Sequence, residues 1–160
     1  MLRRKRAWDM VREDYVRVRN DDSLVEVMRK LLECVRSGNG CLCALVFDGC
    51  NLLGAVSIWD TIRFMQAILK QSGLEKEEGE GGFEELFHLA CKLGAATRVT
   101  EIMDSEYTVL APDMSIPAVM DKFVKKGRSY AVVREGARTL GVIMIQDVFA
   151  ELAEAVRSRL

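Results

Sequence analysis

The chain has 160 residues, of which 49% are hydrophobic, so it can form one compact domain or two small interlocked ones. Its formal net charge of −1 makes nucleic acid an unexpected partner, because dedicated nucleic-acid binders present a basic face. No apolar run approaches the roughly 18 residues of a membrane-spanning helix, so no membrane partner is expected either. Five cysteines without the spacing of a disulfide framework favour a reduced, cytoplasmic compartment.

Residues 1–6 form a basic N-terminal tail that contains Arg3, Arg4, Lys5 and Arg6. A signal peptide would continue into an apolar stretch, and this tail does not. The cluster could contact nucleic acid or anionic lipid. A solvated, partly frayed tail is the favoured interpretation.

An internal repeat organises the rest of the chain, because residues 6–69 recur as residues 98–156. The copies are offset by 92 positions up to the first helix, as in Arg6 and Arg98, and by 87 after it, as in Asp60 and Asp147. We therefore predict repeat 1 at residues 7–70, a linker at 71–97 and repeat 2 at 98–160. Two copies of a small unit usually pack together, and clefts between them are common ligand sites.

The first copy begins with an extended segment over residues 15–18 and a polar turn over residues 20–23. Ser23 and Glu26 have the spacing of a capping box, which predicts a helix start at Leu24. Apolar residues then recur at helical spacing as far as Val35. Two apolar runs, 42–47 and 52–58, predict a hairpin, and residues 61–70 predict a closing helix.

The linker combines two kinds of sequence. Residues 73–82 are acidic and rich in glycine, which predicts a flexible loop rather than a phosphate-binding loop. Residues 83–93 predict a short amphipathic helix that carries His88, the only histidine. Since no catalytic partner is evident, His88 is interpreted as a surface or interface residue.

The second copy repeats the order of the first. An extended segment at 107–110 and a turn at 112–115 precede a helix with apolar residues from Ile116 to Val124. A hairpin follows over 130–134 and 140–145, and a last helix runs from Val148 to about Arg159. Each copy is thus β-α-β-β-α, and the fold class is α/β (α+β), with each sheet needing the other copy to cover it.

The sequence offers little support for catalysis or metal binding. Cys41 and Cys43 share one face of a predicted strand and could hold a metal together with Cys34 or Cys50. Small buried hydrophobic residues are the favoured interpretation, so no metal ligands are assigned. With no nucleophile–base pair and no phosphate loop, we expect no enzyme activity and assign no catalytic residues.

A motif at the end of each hairpin carries a family resemblance. Residues 54–60 read Gly-Ala-Val-Ser-Ile-Trp-Asp, and residues 141–147 read Gly-Val-Ile-Met-Ile-Gln-Asp. Together with the openings at 99–103 and 111–115, these motifs resemble a tandem pair of cystathionine β-synthase (CBS) domains, a Bateman module. The resemblance implies two intertwined repeats related by pseudo-two-fold symmetry. The second copy departs from the pattern, because Met144 stands where the family has a hydroxyl.

The resemblance also implies a ligand class. Such pairs bind adenosine-containing molecules in the clefts between their copies, so AMP, ADP, ATP and S-adenosylmethionine are candidate regulatory ligands. The motif aspartate would accept hydrogen bonds from the ribose hydroxyls, and the serine would donate to a phosphate. Carried over, Ser57 and Asp60 serve one cleft and Asp147 the other, with Thr100 as a further contact. Because Met144 has no hydroxyl, the second cleft loses one hydrogen bond to a phosphate, about 1 kcal/mol of binding free energy. This loss weakens the binding of nucleotides more than that of nucleosides.

Two alternatives stay open at this point. Asp60 and Asp147 could be helix N-caps and nothing more, because aspartate is favoured there. Some family members act as ligand-free dimerisation scaffolds, which is the alternative to our prediction of a cytoplasmic regulatory sensor. The sensor would form a homodimer, bind an adenine nucleotide without a resident cofactor and signal to an unidentified regulated protein. Trp59 could stack on a base or fill the interface between helix and sheet.

Overall fold

The computed structural model describes residues 4–40, 42–71 and 80–160. Its helices and strands, in chain order, are β1 (Val16–Arg19), α1 (Leu24–Ser37), β2 (Cys43–Asp48), β3 (Asn51–Ser57), α2 (Ile58–Gln71), α3 (Glu80–Ala96), β4 (Val109–Leu110), α4 (Ile116–Lys126), β5 (Tyr130–Glu135), β6 (Arg138–Met144) and α5 (Ile145–Arg157).

Strands β1 to β3 form one three-stranded sheet. β1 pairs with β2 in parallel, and α1 provides the crossover that this connection requires. β2 returns to β3 as an antiparallel hairpin through a turn at Gly49, whose φ of 59° suits glycine. The side chains of β2 are buried on both faces from Cys43 to Phe47, which explains why this run is continuously apolar.

Strands β4 to β6 form a second sheet with the same order and the same pairing. Its core combines the sheet with one face of α4, where Ile116, Val119 and Phe123 are buried. The β-α-β-β-α order that the sequence predicts is therefore confirmed in both copies.

The chain divides into two compact units, and unit 1 is discontinuous in sequence. Unit 1 contains residues 1–15 and 106–160, and unit 2 contains residues 16–105. In unit 1, Arg12 and Val142 exchange two backbone hydrogen bonds, of 2.7 and 3.1 Å, and Ala7 is fully buried in the core. In unit 2, Ala55 and Asp104 exchange two of 3.0 and 2.8 Å. The segment that opens each repeat thus packs on the sheet of the other repeat. The predicted repeat boundaries, 7–70 and 98–160, stay a prediction, because the two compact units are defined by packing and not by sequence repetition.

The principal helices begin and end with local signals. Ser23 and Ser115 are the N-caps of α1 and α4, and each hydroxyl accepts a hydrogen bond from a first-turn N–H. Gly38 and Gly127 end the same helices in the left-handed conformation, with φ of 71° and 62°.

The largest differences from the predicted bounds, of three residues, occur in α2, α3 and α5. α3 begins at Glu80 and ends at Ala96, so residues 80–82 are helical and not part of a loop. The rest of the predicted loop, residues 73–79, lies outside the described residues. α2 and α5 each begin three residues earlier than predicted, at Ile58 and Ile145, because a carboxylate at the third helical position stabilises the first turn.

Lys5 and Arg6 of the basic tail contact the rest of unit 1 through side chains that stay at least partly exposed, and the prediction of a solvated, partly frayed tail stays a prediction because residues 1–3 lie outside the described residues. The Lys5 amino group donates to both carboxylate oxygens of Glu151, at 2.8 and 2.7 Å, and this hydrogen bonding raises the pKa of Lys5. Arg6 Nη1 reaches the Asp113 carbonyl at 3.4 Å. Within the described part of the chain, no helix combines the length and the apolar character needed to span a bilayer.

Candidate functional site

The turn from β3 into α2 holds the first predicted pair, Ser57 and Asp60. Asp60 Oδ2 accepts hydrogen bonds from the Ser57 backbone N–H at 2.8 Å and from the Ser57 hydroxyl at 3.1 Å. The Asp60 N–H in turn points at Ser57 Oγ, 3.3 Å away. This is a reciprocal capping box, in which Ser57 is the N-cap and Asp60 occupies the third helical position. The expectation that Asp60 is itself the N-cap is therefore wrong, and the carboxylate is held by its own turn.

The other oxygen of Asp60, Oδ1, can still accept hydrogen bonds. Its nearest charged neighbour is Arg63 Nη1, 3.6 Å from Oδ1, which is too long for a hydrogen bond. The Arg63 side chain is 69% exposed, so this ion pair is weak and solvated. Among the described residues, Oδ1 accepts no hydrogen bond. A carboxylate oxygen has two lone pairs and no proton, so Oδ1 can receive two donors from a ligand.

The neighbours of this turn differ in what they present to solvent. Thr61 is buried and donates to the Ile58 carbonyl at 2.7 Å, so its hydroxyl belongs to the helix. Trp59 is 61% exposed, which excludes the interpretation that it fills the interface between helix and sheet. Its indole remains available to stack on a base.

The motif glycine of β3 has a role that the sequence analysis missed. A Cβ on Gly54 would lie 2.8 Å from the Asp104 carbonyl oxygen and 2.8 Å from Met103 Sδ. Glycine therefore allows residues 103–104 to lie directly against the strand. The same opening segment brings Thr100 into unit 2, the unit of Ser57 and Asp60, on a 3-10 turn over Val99–Glu101. Thr100 is half-buried there.

The matching turn in unit 1 is occupied differently. Met144 is buried and supplies only its backbone N–H to Asp147 Oδ2, at 3.0 Å. Arg12 donates from Nε to Oδ2 at 2.8 Å and from Nη2 to Oδ1 at 2.6 Å. Both oxygens of Asp147 are therefore engaged in a bidentate pair whose side chains are only 24% and 18% exposed. No pattern in the sequence singled out Arg12, although its position corresponds to Asp104 through the offset of 92.

Two other kinds of site find little support among the described residues. A cavity of about 310 Å³ is lined by Glu84, Phe87, His88 and Cys91, all from α3 and none from the Ser57–Asp60 turn. Across residues 4–40, 42–71 and 80–160, no three His, Cys, Asp or Glu side chains are grouped to hold a metal ion. Cys41, one of the four cysteines considered for a metal, lies outside those ranges.

Comparison with known proteins identifies the fold. Residues 99–154 match the family model described as the CBS domain. This segment is a CBS domain. Over most of its length, the chain has the fold of a CBS domain pair. No protein among the curated sequences matches it.

Three solved structures illustrate the likeness, each too low in identity to show more than the fold. A CBS domain-containing protein of unknown function from Bacillus anthracis aligns with a TM-score of 0.70 and 15% identity, covering 96% of each chain. The CBS domain pair of the protein MJ0100, solved with 5′-methylthioadenosine and S-adenosyl-L-methionine, aligns with a TM-score of 0.68 and 15% identity, covering 94% of this chain and 98% of that one. The cytosolic domain of the Mg²⁺ channel MgtE, solved with ATP, aligns with a TM-score of 0.61 and 20% identity. There the match covers 89% of this chain but only 46% of the MgtE chain.

Proposed function

We propose that this CBS domain pair is a regulatory module that binds an adenosine-containing ligand at the Ser57–Asp60 turn. The observation that carries the proposal is the open oxygen of Asp60, on a carboxylate whose other oxygen is held by two hydrogen bonds from Ser57. The ligand class comes from two structures of the same fold, which contain ATP and S-adenosyl-L-methionine. ATP, ADP, AMP and S-adenosylmethionine all carry the same ribose diol, which is the group that Asp60 would recognise.

The geometry suggests a role for each residue of the turn. Asp60 Oδ1 would accept hydrogen bonds from the 2′- and 3′-hydroxyls of the ribose. Ser57 is a positioning residue, because its single proton already points at Asp60 Oδ2 and is not free for a phosphate. Arg63, exposed and one helical turn along, would supply positive charge to a phosphate. Trp59 would offer its exposed ring to the adenine.

A thermal-shift panel with AMP, ADP, ATP, NAD and S-adenosylmethionine tests this proposal. A ligand at 100 times its dissociation constant adds about 2.7 kcal/mol to the free energy of unfolding. For a chain of this size that raises the melting temperature by about 5–10 °C. Asp60→Ala should abolish the shift. Ser57→Ala is the comparison variant, because it weakens the same capping box by about 1 kcal/mol and keeps the carboxylate, so it should reduce the shift without abolishing it.

Tryptophan fluorescence gives a second, direct readout. The chain has two tryptophans, so Trp8→Phe leaves Trp59 as the only tryptophan, which can be excited selectively over the tyrosines. Ligand bound at the turn should change the emission of Trp59 with a saturable dependence on concentration, and Asp60→Ala should remove that change. A thermal shift that survives Asp60→Ala contradicts the assignment of the site. No response to any of the five ligands would favour the ligand-free scaffold.

We also propose that the module acts as a homodimer that transmits the bound state to a regulated protein. Apolar side chains on α5 support this, since Phe149 is 69% exposed and Val156 59%. On α2, Ile62 is likewise 53% exposed. Phe149 and Val156 are seven positions apart and so lie on one face of α5, and contiguous exposed apolar surface is typical of protein interfaces.

A further inference from the structure

Unit 1 contains a second carboxylate at the equivalent position, that of Asp147. Its two oxygens already accept hydrogen bonds from Arg12 of the same unit. The Arg12 guanidinium directs two N–H groups at the two oxygens of Asp147, at 2.8 and 2.6 Å. A ribose would direct its two neighbouring hydroxyls at the same carboxylate. The guanidinium and the diol therefore compete for the same lone pairs.

We infer that Arg12 closes the Asp147 carboxylate to ligands, so that each chain binds a single adenosine-containing molecule, at Asp60. The part of this inference that places one ligand at Asp60 rests on the proposed function. The closure of Asp147 rests only on its two hydrogen bonds from Arg12. It makes Arg12 the residue that determines how many ligands the module takes.

Three features of unit 1 hold Arg12 in this position. Its backbone is paired with Val142 through two hydrogen bonds, so the side chain starts from a fixed point next to the β6–α5 turn. Gly141 has no Cβ to push the Arg12 carbonyl away, since a Cβ there would lie 2.1 Å from that oxygen. At the N-cap, Met144 carries no hydroxyl to compete with the guanidinium for Asp147. Low exposure of both partners further strengthens the pair, because water screens it less.

The corresponding position in unit 2 carries the opposite charge. The backbone of Asp104 pairs with Ala55 as that of Arg12 pairs with Val142. Asp104 corresponds to Arg12 by the offset of 92, and Val142 corresponds to Ala55 by the offset of 87. A carboxylate at this position has no N–H to donate to Asp60. The difference between arginine and aspartate at one repeated position therefore decides which carboxylate is closed.

Ligand stoichiometry tests the inference. Equilibrium dialysis with labelled adenosine, AMP and S-adenosylmethionine should give one molecule per chain for the wild type. Arg12→Met keeps most of the apolar stem and removes the donors, so it should bind two. Adding Asp147→Ala to Arg12→Met should return the count to one. Arg12→Lys keeps the charge without the two-pronged geometry, and it should give an affinity at Asp147 at least tenfold below that of Arg12→Met.

The reciprocal exchange tests the same idea without touching Arg12. Asp104→Arg should close Asp60 and reduce binding by the chain at least tenfold, whereas Asp104→Ala should keep one ligand. Melting temperatures of all variants identify any that fail to fold. For variants that fold, two ligands on the wild type, or no additional ligand on Arg12→Met, overturns the inference.

Failure of the proposed function gives a different pattern. If the wild type binds nothing and Arg12→Met binds one ligand that Asp147→Ala removes, the closure by Arg12 is correct and the site at Asp60 is wrong. If neither the wild type nor Arg12→Met binds any of the three probes, both proposals are overturned.

Discussion

Replacing Gly141 with alanine should release the opening segment of the chain from unit 1. The new Cβ would lie 2.1 Å from the Arg12 carbonyl oxygen and 2.9 Å from its carbonyl carbon, and backbone atoms cannot rotate away as a side chain can. Gly141 also has a φ of 156°, which L side chains rarely adopt. The segment over residues 7–12 must therefore shift or detach.

The cost of detachment follows from the contacts of this segment. Two backbone hydrogen bonds between Arg12 and Val142 would be lost, at about 1 kcal/mol each. Met10, buried in the core of unit 1, would become exposed at a cost of about 2 kcal/mol. These contacts alone amount to about 4 kcal/mol, and the segment makes further ones, so the melting temperature should fall by at least about 8–16 °C for a chain of this size.

Two further glycines provide a graded comparison. Gly54→Ala should cost about 1–3 kcal/mol, because the Cβ meets the Asp104 carbonyl at 2.8 Å but the Met103 side chain can move. Gly94→Ala, near the end of α3, meets only side-chain atoms, the nearest at 3.3 Å. It should change stability by less than about 1 kcal/mol, since alanine favours the helix.

Thermal unfolding ranks the three variants, and hydrogen exchange at the Arg12 and Val142 amides locates the damage. We expect Gly141→Ala to be the least stable and to lose protection at both amides. A melting temperature for Gly141→Ala within about 2 °C of that for Gly94→Ala would refute the argument from close approach.

Two other predictions concern assembly and local stability. Phe149→Glu should convert a dimer to a monomer in light scattering coupled to size exclusion without lowering the melting temperature of the monomer, because the ring is 69% exposed; a wild type that is already monomeric contradicts the proposed dimer. Ser23→Ala should lower the free energy of unfolding by about 1 kcal/mol in urea titration, because Ser23 Oγ accepts from the Glu26 N–H at 3.2 Å. Ser37→Ala, a change on an exposed residue at the other end of α1, is its control, and equal effects would rule out the capping explanation.

The sequence predicted the order of helices and strands because those signals are local. Apolar runs, helical spacing and a serine cap each act over a few residues, and the repeat supplied these signals in both copies. The starts of α2 and α5 were placed three residues late, since Ile58 and Ile145 continue the apolar run of the preceding strand. Only the hydrogen bonds from Ser57 to Asp60 reveal that the helix has already begun.

Arg12 could not be predicted in the same way. An arginine in a short irregular segment carries no periodic signal, and its partner Asp147 lies far along the chain. The exchange of opening segments between the repeats depends on contacts that no window of sequence contains. One signal was nevertheless available, because the repeat alignment pairs Arg12 with Asp104 and so places opposite charges at equivalent positions.

The discontinuity of unit 1 has a consequence during synthesis. Arg12 leaves the ribosome 135 residues before Asp147. Met10 likewise emerges long before the strands of the core that buries it are made. At roughly 5–20 residues per second, the interval between Arg12 and Asp147 is roughly 7 to 27 seconds. Unit 2, by contrast, is a continuous stretch and can assemble once residue 105 has emerged. The described residues of unit 2 should therefore become resistant to protease first in the nascent chain, while the segment over residues 7–12 stays susceptible to cleavage until β6 is made.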